Sequence, residues 1–148
     1  AVVGIKDSSG AGESLAELNV LCEQGNIQLL RFLGSLFRIT TASGVGVHGA
    51  IPGLANLVPA ISASGWEAGE AGDTETARNC DAQLIAASRI MNIAGGGGAN
   101  AASFSGMKSA LKIMGVLDSD TVSRPLRPLT DEEKQRIPAI LKELDLLN

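Results

Sequence analysis

The sequence has no tyrosine, one tryptophan, one histidine and two cysteines in 148 residues. Each scarcity removes a class of chemistry. With His48 as the only histidine, a His-based metal site or a Ser–His pair has little to build on, and no metal or cofactor is called for. Cys22 and Cys80 show no CxxC and no ligand-like spacing. They read as free thiols in a reducing, cytoplasmic compartment. Basic residues are also short: 12 Lys and Arg stand against 16 Asp and Glu, for a net charge of −4 and a pI near 4.9. No basic face is available to neutralise phosphates, which argues against nucleic acid and anionic membranes as partners. No apolar run approaches the roughly 20 residues that cross a bilayer. Finally, the sequence opens inside an apolar run, AVVGI, with no Met and no leader. That is the look of a fragment, a processed chain or one piece of a split protein.

What is present is ordinary for a globular domain. Hydrophobic residues make up 45% and charged residues 19% of the chain, enough to bury a core. Residues 1–5 form a short, fully apolar run, as in a parallel strand with both faces buried. Gly10 to Gly12 break the chain. Leu15, Leu18 and Cys22 recur at helical spacing and predict a helix over 13–24, closed by Gly25. Residues 27–33 predict a second strand ending at Gly34, 36–43 a short helix, and 45–51 a third strand.

The remainder reads as helical. Leu54, Leu57, Val58 and Ile61 mark one apolar stripe, and Asp73 is positioned to cap the next helix, where Ala77, Cys80, Leu84, Ala87 and Met91 step by three and four. Gly95–Gly98 has the composition of a flexible loop. It lacks the Lys-Ser/Thr of a phosphate-binding loop. Met107, Leu111 and Met114 mark a helix that stops at Gly115. Thr130 with Glu133 forms a capping box for the last helix, which Pro138 kinks or splits. The order is therefore a βαβαβ part over 1–52 followed by a helical part over 53–148, in one incomplete domain over 1–148. Strands alternating with helices imply right-handed parallel units. Three parallel strands alone would leave open edges and an uncovered apolar face.

Lys6 follows four apolar residues at the C-terminal end of the first predicted strand, the end that faces the active site in α/β sheets and barrels. A lysine on an apolar wall loses solvation, which favours its neutral amine, and a neutral amine attacks ketones to form imines. The pattern also allows a lysine merely leaving a strand into a surface turn. Asp7, Ser8 and Ser9 could hydrogen-bond near an imine or simply build a turn before Gly10. Gly34-Ser35 and Ile51-Pro52-Gly53 close the other two strands, where glycine allows either a turn or a ligand's approach to the backbone. His48, Cys22, Cys80 and Trp66 read as structural or packing residues.

Several stretches then agree with one family. VVGIKDSSG resembles the lysine strand of the dihydrodipicolinate synthase / N-acetylneuraminate lyase family. FLGS resembles the next strand end, GAIPGLANLVP the last strand and the start of the following helix, and GMKSALKIMGV and RPLRPLTDEE the C-terminal helices. The pieces come in family order and cover essentially the whole chain.

The resemblance implies the C-terminal part of a (β/α)8 TIM barrel, strands six to eight plus the C-terminal helices, and a class I aldolase. Lys6 matches the Schiff-base lysine. Ser8 matches a position that in some members contacts the substrate's hydroxylated tail. Gly34, Ser35 and Ile51 match strand-end positions that line the pocket. The substrate class implied is a small 2-oxo acid, and the subunit is expected in a homo-oligomer. The family also holds the oxo-acid carboxylate with a paired Thr motif and moves protons with a Tyr, both from strands this sequence lacks. Thr40-Thr41 falls on the predicted short helix and does not match that motif. The nucleophile is therefore expected to be inactive without a missing N-terminal half-barrel, on the same or a separate chain.

Where sialate lyases place acidic residues, this sequence has Leu36 and Phe37. That disfavours sialic acid and suits a hydroxy-2-oxo acid or a 2-keto-3-deoxy sugar acid. Two other readings stay open: the 4-hydroxy-tetrahydrodipicolinate synthase reaction of pyruvate with aspartate semialdehyde, and a non-catalytic half-barrel binding or structural module.

Overall fold

The computed structural model of the chain describes residues 1–10, 13–35, 38–95 and 99–147. Contacts divide it into two units, Ala1–Leu84 and Ile85–Asn148, with the border inside one helix.

In the first unit, strands β1 (Gly4–Asp7), β2 (Leu30–Leu33) and β3 (Gly49–Ala50) form a parallel sheet in the order β1-β2-β3. Lys6 stands opposite Phe32 and Asp7 opposite Leu33, while Phe32 and Leu33 pair with Gly49 and Ala50. Helix α1 (Glu13–Gly25) connects the first two strands. A 3-10 segment, Ile39–Val45, lies between the second and third. A shorter 3-10 turn, Gly53–Asn56, leads into helix α2 (Pro59–Ala71), whose proline sits in the first turn, where its missing N–H costs nothing. Helix α3 (Thr74–Met91) follows, and Asp73 accepts a hydrogen bond from the Thr76 N–H at 3.1 Å, as its capping position implied. Leu15, Leu33 and Ala42 form a buried cluster, with Val47, Ala50 and Trp66 packed against it.

The strands are shorter than the sequence suggests, for a local reason. Helix α1 ends through Asn26 in a left-handed conformation (φ 48°), and the Ile27 N–H returns to the Cys22 carbonyl at 2.8 Å. That closure, the helix's own exit motif, takes up residues that apolarity alone assigned to the strand. Strand β2 therefore begins at Leu30 rather than 27, and β1 begins opposite it at Gly4 rather than at residue 1. Gly46, with φ 73°, ends the 3-10 segment and delays β3.

The expectation that both faces of the first strand are buried is not met. Val2 and Val3, just before β1, are 80% and 71% exposed, and β1 lies at the edge of the sheet.

The second unit is helical. After α3 come α4 (Ala99–Ile113), α5 (Asp131–Gln135) and α6 (Ile137–Glu143). Helix α4 stops before Gly115, whose φ is 76°. Thr130 caps α5 in a full capping box with Glu133, and Pro138 sits in the first turn of α6, so the proline splits the final helix in two. Ile90, Ile93, Met107, Ala110, Ile137, Ile140 and Leu141 are each buried. Most of the Gly95–Gly98 loop lies outside the described residues, as do Leu36 and Phe37. Among the described residues no helix is long and apolar enough to cross a membrane.

Candidate active site

The parallel register decides what can meet. Lys6 is the third residue of β1, Ser8 follows that strand, Gly34 and Ser35 follow β2, and Ile51 follows β3. All five therefore stand at the C-terminal edge of one sheet. The backbone holds this edge together. The Gly34 N–H donates to the Asp7 carbonyl at 2.7 Å, and the Ile51 N–H donates to the Leu33 carbonyl at 2.7 Å. The closest packing is around Gly34. A Cβ built there would stand 2.3 Å from Ser8 Oγ and 2.9 Å from Lys6 Cε. Ser35 Oγ lies beside Gly10, 3.9 Å from where its Cβ would be. Ile51 shares the edge but leaves 52% of itself open to solvent.

Lys6 itself is exposed, as is Ser8. The desolvating apolar wall expected around the lysine is absent from these residues, since the neighbouring Val3 and Ile5 are exposed too.

Asp7 resolves an ambiguity of the sequence. Its carboxylate accepts from the Ser9 N–H at 2.8 Å, the Ser9 hydroxyl at 3.0 Å and the Ser14 hydroxyl at 2.5 Å. It is thus engaged in the turn and in the first turn of α1. The Ser14 hydroxyl first, then the two Ser9 groups, hold the Asp7 carboxyl below its ordinary pKa. Sequence reasoning missed Ser14, because a contact seven residues away through a turn leaves no periodic signal.

Other polar candidates are occupied elsewhere. Thr40 donates its hydroxyl to both Asp81 carboxylate oxygens at 3.0 and 3.1 Å and lies on the 3-10 segment, away from any strand end. His48 precedes β3, at the opposite end of the strands from Lys6. Its Nδ1 accepts from the Arg31 N–H at 3.2 Å and its own N–H donates to the Arg31 carbonyl at 2.8 Å, a structural arrangement. Cys22 and Cys80 are buried free thiols. A cavity of about 430 Å³ in the first unit is lined by Cys22, Leu30, Arg31 and His48, among others. It therefore opens at the N-terminal ends of β2 and β3. Volume and chemistry disagree here, and the strand-end residues mark the site better than the concavity does. Among the described residues, no three His, Cys, Asp or Glu side chains gather as a metal site.

Comparison with known proteins bears on the whole chain. The model of the Dihydrodipicolinate synthetase family matches residues 1–144. The 4-hydroxy-tetrahydrodipicolinate synthase of Geobacter sulfurreducens is 32% identical over 146 residues, which cover 99% of this chain and 47% of that protein. The synthase of Trichlorobacter lovleyi is 31% identical with the same coverage. Among solved structures, dihydrodipicolinate synthase from Bacteroides thetaiotaomicron superposes with a TM-score of 0.85 at 25% identity, over 97% of this chain and 47% of that one. A prophage protein of the dihydrodipicolinic acid synthase family from E. coli K12, solved in complex with pyruvate, superposes with a TM-score of 0.79 at 21% identity, over 98% of this chain and 47% of that one. The chain thus spans about half the length of the relatives it matches and shares part of their barrel fold. The family model accounts for nearly every residue of the chain, and the chain belongs to the dihydrodipicolinate synthetase family.

Proposed function

We propose that the chain supplies strands six to eight and the C-terminal helices of a (β/α)8 barrel that forms a Schiff base with a 2-oxo acid, and that Lys6 is the amine. The observation that carries this reading is the shared edge: Lys6, Ser8, Gly34, Ser35 and Ile51 all lie at the C-terminal ends of parallel strands. In barrels, that is where active sites are built.

The chemistry follows from the amine. Neutral Lys6 Nζ adds to the C2 ketone of the oxo acid, the ketone oxygen leaves as water, and the resulting iminium accepts an electron pair. A C–C bond next to it can then break or form. Ser8, Gly34, Ser35 and Ile51 line the pocket around the bound acid. The open surroundings of Lys6 and the absence of any tyrosine support a division of labour. On this reading the enclosing wall, the proton shuttle and the carboxylate clamp come from the first five strands, and this chain by itself is inactive. The barrel is further expected to work in a homo-oligomer.

The substrate is pyruvate or a hydroxy-2-oxo or 2-keto-3-deoxy acid, and the pyruvate held by the E. coli relative supports that class. The second reading, condensation of pyruvate with aspartate semialdehyde, is favoured by the names of the curated relatives. Borohydride trapping of the assembled barrel with pyruvate, followed by peptide mapping, tests the core of the proposal. The expected product is a secondary amine on Lys6 with a mass gain equal to pyruvic acid less one oxygen atom. Absence of that adduct refutes the Schiff-base reading. A panel of 2-oxo acids, with and without aspartate semialdehyde, then separates cleavage from condensation.

A further inference from the structure

Gly34 is the point on which three consecutive residues, Lys6 and Asp7 of β1 and Ser8 just after it, converge. Its N–H donates to the Asp7 carbonyl at 2.7 Å. A Cβ added to it would stand 2.3 Å from Ser8 Oγ, 2.8 Å from the Asp7 carbonyl oxygen and 2.9 Å from Lys6 Cε. All three separations are below the closest approach that real Cβ atoms make. Gly34 does not have the positive φ that marks Gly10 and Gly46. The demand for glycine is therefore one of space and not of backbone conformation. The space is taken up from within the protein, by the stem of Lys6 and the hydroxyl of Ser8.

We propose that Gly34 is a positioning residue for Lys6: the missing side chain is the seat against which the lysine stem and Ser8 rest, and it sets where Nζ stands relative to the ketone carbon. The inference rests on the reading of Lys6 as the imine-forming amine. A methyl group at Gly34 has unequal consequences for its neighbours. Ser8 Oγ and Lys6 Cε are the mobile ends of side chains and can swing away. The Asp7 carbonyl is backbone, held by the Gly34 N–H, and moves only if β1 and β2 shift. The lysine stem and the Ser8 hydroxyl therefore rotate off the seat, and the remaining contact with the Asp7 carbonyl is relieved by a small shift of β1 against β2, which displaces Lys6 further. A nucleophile misplaced by about 1 Å loses on the order of 100-fold in rate, while substrate binding through other groups is retained.

The test compares pyruvate trapping rates in the assembled barrel. For Gly34→Ala, the rate at saturating pyruvate is expected to fall about 10- to 100-fold, with the half-saturating concentration changed less than about threefold. In a double-mutant cycle, removing the Ser8 hydroxyl vacates the nearest obstacle. The Gly34→Ala penalty should then be smaller in the Ser8→Ala background than in the parent. A general loosening of the strands would not be relieved by deleting one oxygen. Ser8→Val crowds the same seat from the exposed side while leaving the Asp7–Gly34 hydrogen bond intact, so it serves if Gly34→Ala does not fold. It is expected to slow trapping about 10-fold. A parent that forms no adduct refutes the Schiff-base reading. A parent that traps, with Gly34→Ala (or, where that variant does not fold, Ser8→Val) trapping equally fast, overturns the positioning role. A Gly34→Ala penalty undiminished by Ser8→Ala also overturns it.

Discussion

The two units deploy their polar side chains differently. In Ala1–Leu84 the chemically equipped side chains gather at a sheet edge, and Val2, Val3, Ile5, Leu30 and Ile51 remain open to solvent around the strands. In Ile85–Asn148 the charges are matched to one another. Arg127 holds both Glu133 carboxylate oxygens at 2.6 and 2.8 Å and the Gly95 carbonyl at 2.6 Å. Asp120 meets Lys134 at 2.6 Å, Ser109 at 2.9 Å and Lys112 at 3.3 Å. Its core residues Ile90, Ala110, Ile137 and Leu141 are fully buried, while Ile85, Phe104, Ile113 and Val116 stay exposed as the valines of the first unit do. One unit leaves Lys6 and Ser8 open for further contact and reaction; the other ties Arg127, Glu133, Asp120 and Lys134 to one another. Chemistry and stability should therefore be separable by substitution.

The largest effect expected is loss of reaction without loss of structure. Lys6→Ala should abolish borohydride-trapped adduct in the assembled barrel. Because the side chain is exposed, its removal should change unfolding free energy by no more than about 0.5 kcal/mol. Urea unfolding and trapping on the same samples check this. Adduct persisting on another lysine would remove the functional half of the contrast.

The converse substitution is Leu141→Ala in α6. Leu141 is fully buried, and its truncation should cost about 2–5 kcal/mol, the cavity included. The trapping rate per folded molecule should stay at the parent level. A drop in that rate would mean that the helical unit tunes the site.

What could be read from the sequence divides along the same line. The helical unit was legible where a motif is local: Thr130 with Glu133, Pro138 and Gly115 each act through neighbours a few residues away, and each does what its spacing implied. In the sheet unit the order of elements was legible, but the edges of the strands were not. Residues 27–29 are apolar enough for a strand, yet the exit of α1 claims them through Asn26 and the Ile27 N–H. Lys6, Ser8, Gly34, Ser35 and Ile51 lie at or just past the strand ends. Two things were not legible. Ser14 reaches Asp7 only because a turn folds back. The exposure of Lys6 depends on what covers β1, which no local pattern encodes.

The third prediction concerns pH. Arg127 first, then the Thr130 and Gly95 N–H groups, hold the Glu133 carboxyl far below its ordinary value. Lys134 first, then Ser109 and Lys112, do the same for Asp120. A depressed carboxylate stabilises the folded form fully above its unfolded pKa, near 4, and the benefit is lost as the pH falls through the folded value. Amide exchange protection across α4–α6 should accordingly decline below about pH 4 and stay level between about pH 5 and 8. In Glu133→Gln and Asp120→Asn the acid decline should be shallower, from a lower plateau. A decline of equal steepness in these variants would show that the two clusters do not govern the acid response.

The smallest effect tests whether the helical unit depends on its caps or on its core. Thr130 Oγ1 accepts the Glu133 N–H at 3.2 Å, and the Glu133 carboxylate returns to the Thr130 N–H at 2.8 Å. Thr130→Ala removes one arm of this box and should cost about 1 kcal/mol, measured as a shift of the urea midpoint at constant slope. Thr130→Ser keeps the oxygen and should recover most of it. The other arm, the Glu133 carboxylate, is also held by Arg127 and so does not depend on Thr130 for its position. The loss should therefore be confined to the start of α5, seen as faster exchange of the amides of residues 132–134, while α4 and the Leu141 region keep their protection. A loss spread evenly over the unit would mean that cap and core form one cooperative block, and that Arg127, Glu133 and Thr130 belong to the packing as much as Leu141 does.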